Sequence, residues 1–180
     1  MKVIFMRHAE SEYNARDLIN QDSKINVHIT EKGKKQALES GEKLEDRGFD
    51  IIFVSEFLRT QETARIVKGE RDIEIKIDNR INEIKLGFEG ENSENYRKVR
   101  GESGEKINLF KVSRELENYH DVKLRIEKFV NWLKNQRYGN ILIVTHEICC
   151  QCVRSIFEGT SEEIAFSSPV GNCEYFEYGI

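Results

Sequence analysis

Four short segments set the rhythm of the chain. Val3-Ile4-Phe5-Met6, Ile51-Ile52-Phe53-Val54 and Ile141-Leu142-Ile143-Val144 are continuous apolar runs rich in β-branched and aromatic residues. That pattern predicts strands buried on both faces, over about 2–6, 51–54 and 141–145. In the fourth, Ile73, Ile75 and Ile77 alternate with Glu74 and Lys76, which predicts a half-exposed strand at a sheet edge. Helical spacing fills the intervals. Thr30 reads as the N-cap of a helix over 31–47 and Gly48 as its closing glycine, with Ala37, Ser40, Gly41 and Leu44 on the packing face. A second helix is predicted over 57–68, with Leu58, Ile66 and Val67 apolar. Val122, Ile126, Phe129, Val130 and Leu133 recur at 3.6-residue spacing and predict an amphipathic helix over 121–137. A further helix over 147–158 and a last strand near 173–178 follow. Residues 9–28 are polar and read as loop.

Strands alternating with helices predict an α/β fold: a three-layer α/β/α sandwich with a mostly parallel central sheet. With 180 residues and no repeat or linker, the expectation is a single domain over 1–180. Residues 81–120 break the rhythm with scattered glycines, many charges and weak periodicity. They read as a charged, partly helical lid or insertion at about 90–120. Within it, Gly101-Glu102-Ser103-Gly104-Glu105-Lys106 lacks the GxxxxGK[ST] spacing of a phosphate loop and follows no strand, so it reads as lid. Arg97, Lys98, Arg100, Lys106, Lys111 and Arg114 read as a solvated face from which one or two side chains reach toward an anionic tail.

Charge narrows the partners. The net charge of -4, from 28 basic and 32 acidic residues, gives no general attraction to nucleic acid or a membrane surface. Arg7-His8 interrupts the first apolar run too early for a secretory segment, and no stretch approaches the ~18 apolar residues of a membrane span. A cytoplasmic protein is expected; oligomeric state is left open. Of the four cysteines, Cys149, Cys150 and Cys152 crowd one helix, away from Cys173. That arrangement suits buried reduced thiols better than a disulfide framework. His146, Cys149 and Cys150 have i, i+3, i+4 spacing, but no separate CxxC pair supports a metal site, and none is expected.

The chemistry gathers at strand ends. Arg7-His8 leaves the first strand, and Thr145-His146 leaves the run at 141–144. Ser55 through Ala64, containing Arg59, follows the second strand. Ile81-Asn82-Glu83-Ile84 and Gly87-Phe88-Glu89-Gly90 follow the edge strand. Ligands of open α/β sheets bind at the carboxyl ends of such strands. Two arginines offer planar forks that match phosphoryl oxygens and stay charged. A neutral imidazole can attack phosphorus, and a carboxylic acid can protonate the leaving oxygen and later deprotonate water.

In these segments the chain resembles the histidine phosphatase superfamily, also called the phosphoglycerate mutase-like family, in order and over nearly its whole length. The family's Arg-His-Gly-Glu-Thr with a nearby Asn reads here as Arg7-His8-Ala9-Glu10-Ser11 with Asn14. Its Leu-Thr-x-x-Gly-x-x-Gln-Ala is similar to Ile29 through Ala37. Its Ser-x-x-x-Arg-x-x-Gln-Thr-Ala is similar to Ser55 through Ala64. Its acidic motif is similar to Glu83 through Gly90, and its Thr-His pair to Thr145-His146. The resemblance implies a phosphatase that needs no cofactor or metal and acts on a small phosphorylated substrate. His8 would become a phosphohistidine. Arg7, Arg59, His146 and Asn14 would hold the phosphoryl oxygens, and Glu83 would be acid and then base. Alternatives are a cofactor-dependent phosphoglycerate mutase and a non-catalytic phospho-ligand binding module. Leu86-Gly87, where family mutases tend to have Tyr-Gly, favours the phosphatase, and retention of every core group argues against the module. His28 and His120 match no motif and read as surface residues. Glu147 departs from the family's glycine after the second histidine. It either faces solvent at a helix N-terminus or disfavours highly anionic substrates. Ala9, Glu56, Phe57 and Phe88 are further departures.

Overall fold

The computed structural model describes residues 1–94 and 116–180. In chain order it contains β1 (Lys2–Arg7), α1 (Glu12–Ala15), α2 (Glu31–Lys43), β2 (Ile51–Val54), α3 (Leu58–Lys68), β3 (Glu74–Ile77), α4 (Tyr119–Leu133), β4 (Asn140–Thr145), α5 (Glu147–Glu158), α6 (Glu162–Ser167) and β5 (Tyr175–Gly179). The strands form one five-stranded sheet in the order β3-β2-β4-β1-β5. The first four are mutually parallel, and β5 runs antiparallel to β1.

The alternating geometry of a strand explains why three runs are apolar at every position. Val3, Phe5, Ile51, Phe53, Ile141 and Ile143 point to one face and pack with α4 and α5. Ile4, Met6, Ile52, Val54, Leu142 and Val144 point to the other and pack with Ala37 and Leu44, and with Ala64 and Val67 of α3. These two cores make the expected three layers. β3 is the edge strand, with Ile75 half-buried and Ile77 exposed. No described helix is long and apolar enough to cross a membrane.

Several boundaries differ from the sequence reading. α2 ends at Lys43 and a 3-10 turn, Glu45–Arg47, continues to Gly48, which adopts the left-handed conformation at φ 56. α3 packs through Arg59, Thr60, Thr63, Ala64 and Val67, so most of its buried face is polar and Leu58 and Ile66 stay at the margin. α4 starts at Tyr119 because Asn118 and Asp121 form a capping box, and it stops at Leu133 rather than 137. β5 starts at Tyr175 because Cys173, at φ 59, interrupts extended backbone. The six-residue α6, capped by Ser161 and anchored by Ala165 and Phe166, is too short for helical periodicity to announce it. The polar stretch 9–28 contains one helical turn, α1. Most of the expected lid at 90–120, with Gly101 through Lys106 and the basic residues from Arg97 to Arg114, lies outside the described residues.

Candidate active site

The four parallel strands deliver their following residues to one edge. Arg7 ends β1 and His8 follows it. Ser55 follows β2, and Arg59 lies in the first turn of α3. Glu83 comes just after the 3-10 turn Asn79–Ile81 beyond β3, and His146 caps α5 directly after β4. His8, Arg59 and His146 are all buried.

The backbone beside His8 is tied on three sides. His8 N–H donates to Thr145 O at 2.8 Å, and Asn172 Nδ2 donates to His8 O at 3.0 Å. Ala9 N–H donates to Thr63 Oγ1 at 3.0 Å, and that hydroxyl donates to Arg59 O at 2.7 Å. The imidazole is oriented as well. Nδ1 lies 2.7 Å from Ala9 O, which can only accept, so the proton sits on Nδ1. The lone pair is therefore on Nε2, where it accepts Arg59 Nε–H at 3.0 Å.

Arg59 joins both histidines. Its remaining nitrogens donate to Asn20 Oδ1, to Asn20 O at 3.3 Å and to His146 Nδ1 at 3.0 Å. Because His146 Nδ1 accepts, its proton is on Nε2, which donates to Ser55 Oγ at 2.8 Å. Ser55 Oγ lies 2.9 Å from Thr60 Oγ1, whose hydroxyl donates to Phe57 O at 2.8 Å. The Phe57 ring lies 4.4 Å from the guanidinium carbon and packs edge-on against His146 at 4.8 Å. Burial, reinforced by the Arg59 charge, holds both histidines well below the usual imidazole range, so both are neutral. Burial also lowers Arg59 to about 10, with Glu83 opposing, which leaves it charged at neutral pH.

Arg7, His8, Asn14, Arg59, Glu83 and Glu147 line a cavity of about 200 Å³. Burial raises the Glu83 carboxyl above its usual range, while its bond from Ile84 N–H at 3.0 Å and the nearby arginines restrain the rise. Arg7 donates from one terminal nitrogen to Val170 O and lies 3.1 Å from the Glu147 carboxylate through the other. Its Nε is buried without a partner among the described residues. Asn14 Oδ1 accepts Ser11 N–H and Ser11 Oγ–H at 3.1 and 3.0 Å, so its amide nitrogen is the group left for an acceptor in the cavity. His146 does not line this cavity and instead contacts Arg59. Cys149 Sγ donates to Asn82 O at 3.0 Å, and no group of three candidate metal ligands occurs among the described residues. The four cysteines are buried and unpaired. His28 is exposed and bound to Glu62 at 2.7 Å, and His120 is exposed.

A clamp beneath Arg59 went unread in the sequence. Gln21 Oε1 accepts three backbone N–H groups, from Leu86, Gly87 and Phe88, at 2.9, 2.8 and 3.2 Å. Glu89 accepts Asn20 Nδ2 at 3.1 Å and Asp22 N–H at 2.8 Å. These bonds lock residues 20–22, of which Asn20 holds Arg59, to the segment that follows Glu83. An isolated Asn-Gln in a polar loop carries no spacing signal.

The family model described as the histidine phosphatase superfamily (branch 1) matches residues 3–180. The chain is 37% identical over 90 residues to the probable 2-carboxy-D-arabinitol-1-phosphatase of Arabidopsis thaliana, covering 49% of this chain and 18% of that protein. It is 30% identical over 146 residues to the 2,3-bisphosphoglycerate-dependent phosphoglycerate mutase of Staphylococcus haemolyticus, covering 78% of this chain and 61% of that one. Identity is 27% over 154 residues to the adenosylcobalamin/alpha-ribazole phosphatase of Escherichia coli, with 82% and 74% covered. The solved structure of Bacillus stearothermophilus YhfR superposes with a TM-score of 0.86 at 26% identity, covering 98% of this chain and 89% of that one. The chain thus spans less than two thirds of the length of the first two relatives.

Proposed function

Since the chain belongs to the histidine phosphatase superfamily, we propose that it is a metal-independent phosphatase that hydrolyses a phosphomonoester through a phosphohistidine on His8. The observation that carries this reading is the bond between His8 Nδ1 and Ala9 O, which leaves an unprotonated Nε2 at the cavity wall.

The phosphoryl group draws Arg59 Nε–H off His8 Nε2 and onto one of its own oxygens. Arg7 Nε and the Asn14 amide take the others. Nε2 forms the bond to phosphorus as the ester P–O bond breaks, and Glu83, whose hold on its proton is strengthened by burial, donates that proton to the leaving oxygen. The Glu83 carboxylate then takes a proton from water. The new P–O bond forms, and the N–P electron pair returns to Nε2. His146 anchors the Arg59 fork. For it to donate to a phosphoryl oxygen, Nδ1 must gain a proton that this tautomer lacks.

The test is turnover of a phosphomonoester panel that includes p-nitrophenyl phosphate, in EDTA, with His8→Ala alongside. The expected outcome is phosphate release by the wild type that the variant loses. Turnover equal in both proteins would refute the mechanism. The similarity to the staphylococcal mutase supports a second reading. Interconversion of phosphoglycerate isomers that depends on added 2,3-bisphosphoglycerate, with little net phosphate release, would establish it instead.

A further inference from the structure

We propose that Glu147 is a specificity-determining residue that discriminates against phosphate esters with a second anionic group close to the phosphate, so that the substrate is the monophosphate of a neutral or cationic alcohol. The proposal rests on the phosphatase reading above and names the substrate class of that same cavity.

Glu147 is the first residue of α5, where the positive end of the helix favours a carboxylate. Its side chain is nevertheless spent inward. Oε2 lies 3.1 Å from Arg7, and Oε1 accepts Val170 N–H at 3.4 Å. Arg7 also donates to Val170 O, so Arg7, Glu147 and Val170 close a ring that fixes the guanidinium and keeps Glu147 on the cavity wall beside His8, Arg59 and Glu83.

The charge inventory of the wall follows from this. His8 is neutral, so among the described residues Arg7 and Arg59 are its cations. One of these two charges is matched by Glu147 before any substrate arrives. What remains suits one phosphoryl group. A substrate carboxylate or second phosphate about 7 Å from Glu147 meets repulsion worth on the order of 10- to 50-fold in affinity at an effective dielectric of about 20. Partial exposure of Glu147 and salt place the effect toward about tenfold. A hydroxyl or ammonium in the same place meets an acceptor.

The experiment compares His8→Ala with the double variant His8→Ala, Glu147→Gln, so that binding is read without turnover. Glutamine keeps an oxygen for Val170 N–H and removes the charge. Calorimetry measures Kd for glycerol 1-phosphate and for 3-phosphoglycerate, which have similar size and differ in the anionic tail. The expected result is tighter binding of the neutral-tailed ester before the change and a preference reduced about tenfold after it. A purely structural role weakens both ligands equally and leaves the ratio fixed, which overturns the proposal. If neither variant binds any phosphate ester, the phosphatase reading falls, and this inference falls with it.

Discussion

Replacing Gly33 by alanine tests how the His8 loop is held. Gly33 sits in the first turn of α2, where a Cβ would lie 2.2 Å from Glu10 O, 3.1 Å from Glu10 C and 3.2 Å from Glu10 N. A carbon–oxygen contact needs about 3.3 Å, so helix and loop must part by roughly 1 Å. The loop has little room to yield. Glu10 O accepts Thr30 N–H at 2.9 Å, Glu10 N–H donates to Gln36 Oε1 at 2.9 Å, and the Glu10 carboxylate accepts Thr30 Oγ1 at 2.8 Å. Overpacking of this kind costs about 1–3 kcal/mol, and the gain of about 0.5–1 kcal/mol from placing alanine in a helix offsets part of it. Losing the Thr30–Glu10 bond adds about 1 kcal/mol. The net loss of roughly 1–3 kcal/mol corresponds to a melting temperature lower by about 2–10 °C for a chain of this size.

In the mechanism proposed above, the same displacement reaches the chemistry, because Glu10 is two residues from His8. Misplacing a reacting group by 1 Å costs about 100-fold in rate. His8 keeps its own bonds to Thr145 and Asn172, so a fall of about 10- to 100-fold in kcat/KM is expected. Thermal melting followed by circular dichroism, with kcat/KM on p-nitrophenyl phosphate, measures both. Gly159→Ala is the control. It imposes a side chain on a left-handed residue, φ 66, at the far end of α5 with nothing within 4 Å of the new Cβ. It should lower stability by about 1 kcal/mol and leave the rate unchanged. If Gly33→Ala melts within 1 °C of wild type (a shift of under ~0.5 kcal/mol) and keeps its rate, the loop is not held as argued.

Two further outcomes follow from the hydrogen-bond relay and the buried imidazoles. Ser55→Ala leaves His146 Nε2–H buried without its acceptor and releases the tautomer that receives Arg59, so kcat/KM should fall about 10- to 100-fold; an unchanged rate would show that the tautomer is immaterial. Stability should fall on acidification. Both histidines have folded-state values below the ordinary 6.5, so under that pH the unfolded chain binds protons that the native protein refuses. The loss begins near pH 6.5 and approaches about 1.4 kcal/mol per pH unit for each histidine. Glu83, raised from 4.5, acts oppositely: its contribution is complete below 4.5 and disappears as pH rises through its folded value. Urea unfolding from pH 7 to pH 5 should therefore show a slope that His8→Gln reduces by about one proton; an unreduced slope would mean that His8 is not held neutral.

What the sequence could disclose followed from how locally each feature is encoded. A strand buried on both faces is apolar at every position, so β1, β2 and β4 were legible, and the residues just past their carboxyl ends could be placed on one edge without knowing a single contact. The Thr30, Gly33, Gln36 motif was visible as a pattern, while its meaning was not: all three residues grip Glu10 and none touches the cavity. Asn20, Gln21, Ser55 and Asn172 act through bonds to partners far along the chain, and no periodicity encodes such pairs. α6 was missed for a different reason, its length, since six residues hold too few turns for a repeat to show. His146 and Glu147 mark the boundary most clearly. Their places beside the site follow from the end of β4, but a strand end does not set rotamers. Only the fold reveals that His146 turns toward Arg59 rather than the cavity. The same is true of Glu147, whose carboxylate reaches back to Arg7 from a helix start where solvent was equally open to it. A one-residue choice of direction thus decides how much positive charge the cavity keeps, and that choice is made by the Val170 loop, some twenty residues further along the chain.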